Sequence, residues 1–298
     1  MKELCVVHLV RAHNGIEPFR RFLESYRANP SGIEHDLLIV FKGFAQPQGT
    51  AMYRELLAPF RYETLDVSDE GFDITAYFTV TKRYSKQYRY FCFLNSYCVI
   101  LDAGWLSKMY QHISQKGVGM VGATGSYQSL VVGHDQWKLW VEVSIPKSKY
   151  PRLRRFWIGR LDWTLLYWLK RWVFKFNFSQ FPNYHIRSNA FMVREEIIKK
   201  VTCQKMANKI DAYKCESGRR SITNQVMKLG KTVLVIGKDG KAYKKEDWWK
   251  SNTFWRENQE NLLISDNQTR AYADSELAQK IVFSYNAWGE NASPKISN

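Results

Sequence analysis

Residues 4–43, LCVVHLVRAHNGIEPFRRFLESYRANPSGIEHDLLIVFKG, carry the pattern that decides the fold. An apolar run at 4–10, LCVVHLV, gives way to IEPFRRFLESYR, in which Phe19, Phe22, Leu23 and Tyr26 recur at helical spacing on one face. A second apolar run, HDLLIVFKG, follows at 35–43. Short continuous apolar runs are what strands look like when both faces of their sheet are covered. The unit therefore predicts a strand, a covering helix and a second strand parallel to the first.

The alternation continues to residue 123. A helical TAMYRELLAPF (50–60) precedes the strand YETLDV (62–67), and a helix starting at Asp73 precedes the strand YRYFCFLNS (88–96). The helix AGWLSKMYQHISQ (103–115) and the strand VGMVGA (118–123) complete the series. Beyond it the pattern is sparser: a strand HIRSNAFMVR (185–194), helices at 195–201 and between Gly218 and Leu229, and a strand TVLVIGKDG (232–240). The class predicted is α/β, a Rossmann-like, mostly parallel sheet covered by helices. The 298 residues suit one elaborated domain over 1–285, with a nucleotide-binding half at 1–127, an acceptor half at 181–285 and a flexible tail at 286–298.

Residues 150–180 form an insertion of different composition. Within 151–178 seven Lys or Arg face a single Asp, interleaved with Trp157, Trp163, Trp168 and Trp172. Lys170 and Arg171 interrupt the apolar stretches, which excludes a membrane span of about 20 apolar residues. Two readings stay open: a basic aromatic helix lying in a membrane interface, or an insertion whose aromatic face packs on the domain. The net charge of +16 attracts phosphorylated substrates, anionic membranes and nucleic acid alike. The five cysteines contain no C-x-x-C pair and read as buried thiols of a reducing compartment. With no signal-peptide pattern at the start, a cytoplasmic location is expected, peripheral on the inner face of the plasma membrane.

In parallel α/β sheets ligands sit at the carboxyl ends of the strands. That rule selects Arg11, His13 and Asn14, then Asp66 to Asp73, then Asn95 and Ser96. The segments EGFDITAY (70–77), FLNSY (93–97), HIRSNAFMV (185–193) and CESGRRS (215–221) occur in an order that resembles the rhamnan synthesis protein F family and similar bacterial glycosyltransferases of GT-A fold. The resemblance runs over about 4–240. It implies a GT-A-like sheet, a nucleotide-sugar donor, and sugar transfer to a hydroxyl of a surface polysaccharide or lipid-linked glycan.

Such a reaction must recognise the nucleoside, stabilise the departing diphosphate and, for inversion, deprotonate the attacking hydroxyl. Arg11, His13, Asn14 and Asp73 are the candidates for the nucleoside or a sugar hydroxyl, although Asp73 is also a natural helix start. A carboxylate pair at the end of the fourth strand would hold Mg²⁺ or Mn²⁺. Leu94-Asn95-Ser96 supplies none, and the resembling family often has Asp where this chain has Ser96. No cofactor is assigned, and Asp102 and Asp73 are the nearest carboxylates in sequence that could hold a metal. Asn95 and Ser96 would then hydrogen-bond the donor, while Arg187, Arg219 and Arg220 join Arg11 in meeting the diphosphate charge through forked hydrogen bonds.

His185 is a candidate donor to phosphate, and with Asn189, Trp255 and Asn258 it is a candidate for acceptor contact. Glu216 is the candidate base, on a loop leading into the helix after Gly218, with Asp211 and Asp239 in reserve. The partners expected are a nucleotide sugar, a glycan or lipid-linked acceptor and an anionic membrane surface. Nucleic acid is the competing reading of the basic charge, but no helix-turn-helix, zinc or RNA-recognition signature accompanies it. A third reading is a scaffold of the same fold that binds glycan or membrane without catalysis.

Overall fold

The computed structural model describes residues 1–131, 172 and 174–292. The first half follows the predicted alternation: β1 (Lys2–Arg11), α1 (Glu17–Ala28), β2 (Asp36–Lys42), α2 (Ala51–Leu57), β3 (Glu63–Val67), α3 (Asp73–Arg83) and β4 (Tyr88–Leu94). A short β5 (Val99–Ile100), α4 (Trp105–Ile113), β6 (Val118–Gly122) and β7 (Gly125–Ser126) come next. The chain returns through β8 (His185–Ile186), β9 (Ala190–Arg194), α5 (Glu195–Ile198), α6 (Lys209–Ser217), α7 (Ile222–Lys228), β10 (Thr232–Ile236) and β11 (Ala242–Lys244). It closes with β12 (Ile264–Ser265), α8 (Asn267–Ala273) and α9 (Leu277–Trp288).

Eight strands form one sheet in the order β11-β10-β6-β9-β4-β1-β2-β3. The pairs β1/β2, β2/β3, β1/β4 and β6/β10 are parallel, whereas β9 runs antiparallel to both β4 and β6. This is the α/β class expected, a mostly parallel sheet with helices on both faces. Alternate β1 residues serve the two faces, as a period of two requires. Cys5, Val7 and Leu9 join one core with Tyr77 and Val80 of α3; Leu4, Val6 and Val10 join the other with Phe19 and Phe22 of α1 and Trp105 of α4. Phe19, Phe22 and Leu23 of α1 are buried as the spacing predicted, each contributing about 1.5–3 kcal/mol of transfer free energy.

Three readings of the sequence are corrected. The run at 185–194 is two strands, because the chain turns at Arg187-Ser188-Asn189 to leave the small β7/β8 ladder and enter the main sheet. Cys203 and Cys215 are joined in a disulfide with Cα atoms 5.7 Å apart, and only Cys5, Cys92 and Cys98 are free thiols, all buried. Within the tail expected to be flexible, Trp288 completes α9, is 1% exposed and donates from Nε1 to the Phe254 carbonyl at 2.7 Å. Apart from Trp172 and residues 174–178, the basic aromatic stretch lies outside the described residues. Among those described, no helix is long and apolar enough to cross a membrane.

Candidate functional site

β4 stops at Leu94 because Asn95 turns the chain. Its Oδ1 accepts from the Tyr97 backbone N–H at 3.0 Å, an Asx turn that ends the ladder, and the Cys98 thiol lies 3.4 Å from it and 3.1 Å from the Asn189 carbonyl. Its own N–H donates to the Asn189 carbonyl at 2.8 Å, tying the end of β4 to the turn before β9. Both residues line a cleft of about 430 Å³ at the carboxyl end of β4. Asp73, Ser126, Gln128, His185, Arg187 and Ser188 line it, with Lys209, Tyr213 and Glu216 of α6, then Phe254, Trp255, Asp266 and Gln268.

Glu216 sits in the last turn of α6, not on the loop that the sequence suggested. The helix starts earlier because the Asn208 side chain caps it, accepting from the N–H groups of Ile210 and Asp211. One Glu216 oxygen, Oε1, accepts from the Ser188 N–H at 2.7 Å and from the Ser188 hydroxyl at 2.8 Å, which fixes the carboxylate in the cleft. Asp73 opens α3, and Arg11 lies 3.7 Å from its carboxylate and 3.2 Å from that of Asp69. Burial raises the Asp73 pKa, Arg11 opposes the shift, and the nearby Glu216 charge adds to it, although 30% of the side chain remains exposed.

Lys42 supports this corner from below. It is 1% exposed and donates from Nζ to the carbonyls of Ser68 and Glu70 at 3.0 and 2.6 Å, fixing the loop that leads into α3. Gly43 beside it has φ +76°, and a Cβ there would lie 2.9 Å from the Asp69 side chain.

His185 cannot serve phosphate as the sequence suggested. Its Nδ1 is 2.8 Å from the Asn183 carbonyl, which accepts only, so Nδ1 carries the proton and Nε2 is an acceptor. Burial lowers its pKa, with Glu216 opposing, which favours this neutral form. Arg187 is already engaged: it donates from Nη2 to Asp266 at 2.8 Å and its guanidinium lies 4.2 Å from the Phe254 ring centre. Asp266 is 1% exposed; burial alone would raise its pKa, and Arg187 outweighs that to hold it below the ordinary range. Asn189 is 2% exposed; its Oδ1 accepts from the Thr124 hydroxyl at 2.7 Å, and its Nδ2 has no partner among the described residues.

The other candidates lie elsewhere. Arg219 and Arg220 line a separate cavity of about 210 Å³ beside the disulfide, together with Asp211. His13 is exposed, and Asn14 accepts from the Tyr97 hydroxyl at 3.0 Å. Ser96 is buried beneath the turn, its hydroxyl without a partner among the described residues, and Asn258 is exposed away from the cleft. Asp102 is paired with Lys108, and Asp239 lies 3.6 Å from Lys241.

This donor set does not fit a divalent cation. Asp73 is paired with Arg11, Asp102 with Lys108, and the Asn95 carbonyl oxygen already accepts the Tyr97 N–H. Among the described residues no group of three or more His, Cys, Asp or Glu is close enough to share a metal ion.

Sequence reading missed Lys209, Tyr213, Phe254 and Asp266. Asp266 was legible in principle, since Asp266 and Thr269 form a reciprocal cap at the start of α8. Lys209 and Tyr213 were hidden because α6 buries little more than Cys215 and Ser217 and has no apolar stripe to reveal it.

Fold and site together define an α/β protein with its cleft where the strands end. No protein-family model matches the chain, and no curated protein matches it either. Solved structures do. Mouse xyloside xylosyltransferase 1 in its apo form is similar at 11% identity and TM-score 0.40, over 79% of this chain and 84% of that one. A mannosyltransferase from Pyrobaculum calidifontis, solved with GDP-Man and Mn²⁺, is similar at 9% identity and TM-score 0.46, over 97% and 72%. A 4-diphosphocytidyl-2C-methyl-D-erythritol synthase from Anaerococcus prevotii is similar at 9% identity and TM-score 0.39, over 72% and 83%. At such values neither activity nor substrate follows from the likeness.

Proposed function

We propose that the chain is a glycosyltransferase that moves a sugar from a nucleotide-diphosphate donor to a hydroxyl of a growing glycan, with inversion. The observation that carries the reading is the Glu216 carboxylate, held by Ser188 in a cleft that also holds Asp73, amide donors and the Phe254–Trp255 stack. Trp255 is 7% exposed and packed between Phe254 and Phe283, so it forms part of the apolar cleft wall, beside which amides and carboxylates read hydroxyls.

In this reaction the acceptor oxygen bonds to the anomeric carbon as the carbon–oxygen bond to the diphosphate breaks. Glu216 takes the hydroxyl proton through Oε2, since Oε1 is occupied by Ser188. His185 positions the acceptor sugar by accepting at Nε2 from a hydroxyl next to the attacking one. Lys209, which has no carboxylate partner among the described residues, and the remaining donors of Arg187 meet the charge of the leaving group. The acceptor class we infer is a surface polysaccharide or lipid-linked glycan at the inner membrane face, the reading that accommodates a net charge of +16.

A thermal-shift panel of nucleoside diphosphates and nucleotide sugars, with Mn²⁺ and with chelator, tests the reading. One nucleotide series should raise Tm, and the rise should survive chelation. No shift with any nucleotide, together with tight, salt-sensitive binding of single-stranded RNA, would replace this reading with the nucleic-acid one.

A further inference from the structure

The disulfide plays no part in that chemistry, yet it adjoins the cleft. Cys215 immediately precedes Glu216 on α6, and Cys203 lies in the strip that leads from α5 to the Asn208 cap. The loop the bond closes therefore contains Lys209 and Tyr213, two further cleft residues.

Little else holds this strip. Cavities of about 210 and 270 Å³ flank it, and Cys203 and Gln204 line both. No backbone hydrogen bond among the described residues ties Cys203, Gln204, Lys205 or Met206 to the rest of the chain. Its noncovalent ties include the pairing of Thr202 with Gln225, the Ala207 N–H on Asp211 of α6 at 3.2 Å, the packing of Cys203 and Met206 on the core and the Thr75 hydroxyl on the Met206 sulfur at 3.5 Å. α6 itself buries only Cys215 and Ser217. The covalent bond is thus the principal tie between the strip and the helix that presents Glu216.

Chemistry can reach this bond. Cys203 is only half-buried, and the smaller cavity opens onto both cysteines among Arg219, Arg220 and Lys214, the last paired with Asp211 at 3.2 Å. Cations beside a cysteine favour its thiolate, the species that forms and leaves in thiol–disulfide exchange. Cys5, Cys92 and Cys98, by contrast, are at most 1% exposed.

We infer that Cys203–Cys215 is a reversible thiol–disulfide exchange site, taking a dithiol as its reductant, whose state sets the order of the helix carrying Glu216. Two electrons and two protons pass from the dithiol, which closes to its own disulfide, while the Cys203–Cys215 bond becomes two thiols. Oxidised, the strip anchors α6 and the cleft is formed. Reduced, α6 frays from its Asn208 end and the cleft loses Lys209, Tyr213 and the fixed Glu216. The inference does not depend on what occupies the cleft.

The test combines thiol counting with hydrogen exchange on the full chain, before and after dithiothreitol. Five cysteines less the bonded two leaves three thiols in unfolded, unreduced protein, rising to five on reduction. In the native protein alkylation should label none before reduction and two after it. Amide exchange over 207–217 should speed by roughly tenfold or more on reduction, while β1 and β4 stay protected. Cys203→Ser should show the fast exchange with or without reductant, and re-oxidation of the wild type should restore the slow one. Five thiols in unreduced, air-equilibrated protein would overturn the inference. So would exchange over 207–217 that ignores reduction of a bond shown to be present.

Discussion

His8 shows how one side chain writes a pH dependence into the molecule. It lies on β1, 0% exposed, stacked on Phe22 with ring centres 3.6 Å apart, and neither ring nitrogen has a partner among the described residues. Burial lowers its pKa to about 3 from the ordinary 6.5. Above pH 6.5 the ring is neutral in both folded and unfolded chains. As the pH falls below that, the unfolded chain takes a proton that the folded chain refuses, so stability drops until the pH passes the folded value. The full drop from this one residue is about 4–5 kcal/mol. His8→Leu should remove that part of the acid loss, read as a smaller difference between urea midpoints at pH 7 and pH 4.5. Arg187 and Asp266 make the opposite case, a buried charge that is compensated. Arg187→Met strands Asp266 and should cost about 3–5 kcal/mol in urea unfolding, whereas changing both partners to apolar residues should cost less.

At the scale of elements, what the sequence disclosed was whatever packing makes periodic. α1 and the strands β1, β2 and β4 were legible because each buries apolar residues at its own period against a covered sheet. α6 was not, because its position comes from the Asn208 cap, two Ser188 hydrogen bonds and a disulfide, none of which leaves a repeating mark. The antiparallel entry of β9 was equally silent, since Ala190 to Arg194 read the same in either direction. Asn95 answers why β4 ends on an amide: the turn requires its side-chain oxygen. Asn95→Ala should cost on the order of 1 kcal/mol, and Asn95→Asp, which keeps the accepting oxygen, less than half of that, by thermal unfolding. Asn208→Ala should likewise cost about 1 kcal/mol and speed amide exchange in α6 before any other helix responds.

Across the whole molecule, the cleft gathers residues distant in the chain, and the sequence anticipated part of it. Asp73, Asn95, His185, Arg187, Asn189 and Glu216 were chosen from strand ends and short motifs, Trp255 from the amide-rich composition around it, and they line one cavity. Arg219 and Arg220 follow Glu216 closely in sequence but line the other cavity, because α6 ends at Ser217 and the chain turns away. Proximity in sequence misled there; only the three-dimensional path separates the two groups. The charge of +16 belongs to this scale too, and it predicts that adsorption to vesicles containing anionic lipid weakens several-fold between about 50 and 500 mM salt, while neutral vesicles take up little at either. Glycosyl transfer at the cleft is tested most directly by comparing the wild type with Glu216→Gln, using the nucleotide sugar that stabilises the chain. Donor binding should change less than about threefold and turnover should fall by about 10²-fold or more. Turnover that survives the substitution, with binding intact, would contradict Glu216 as the base.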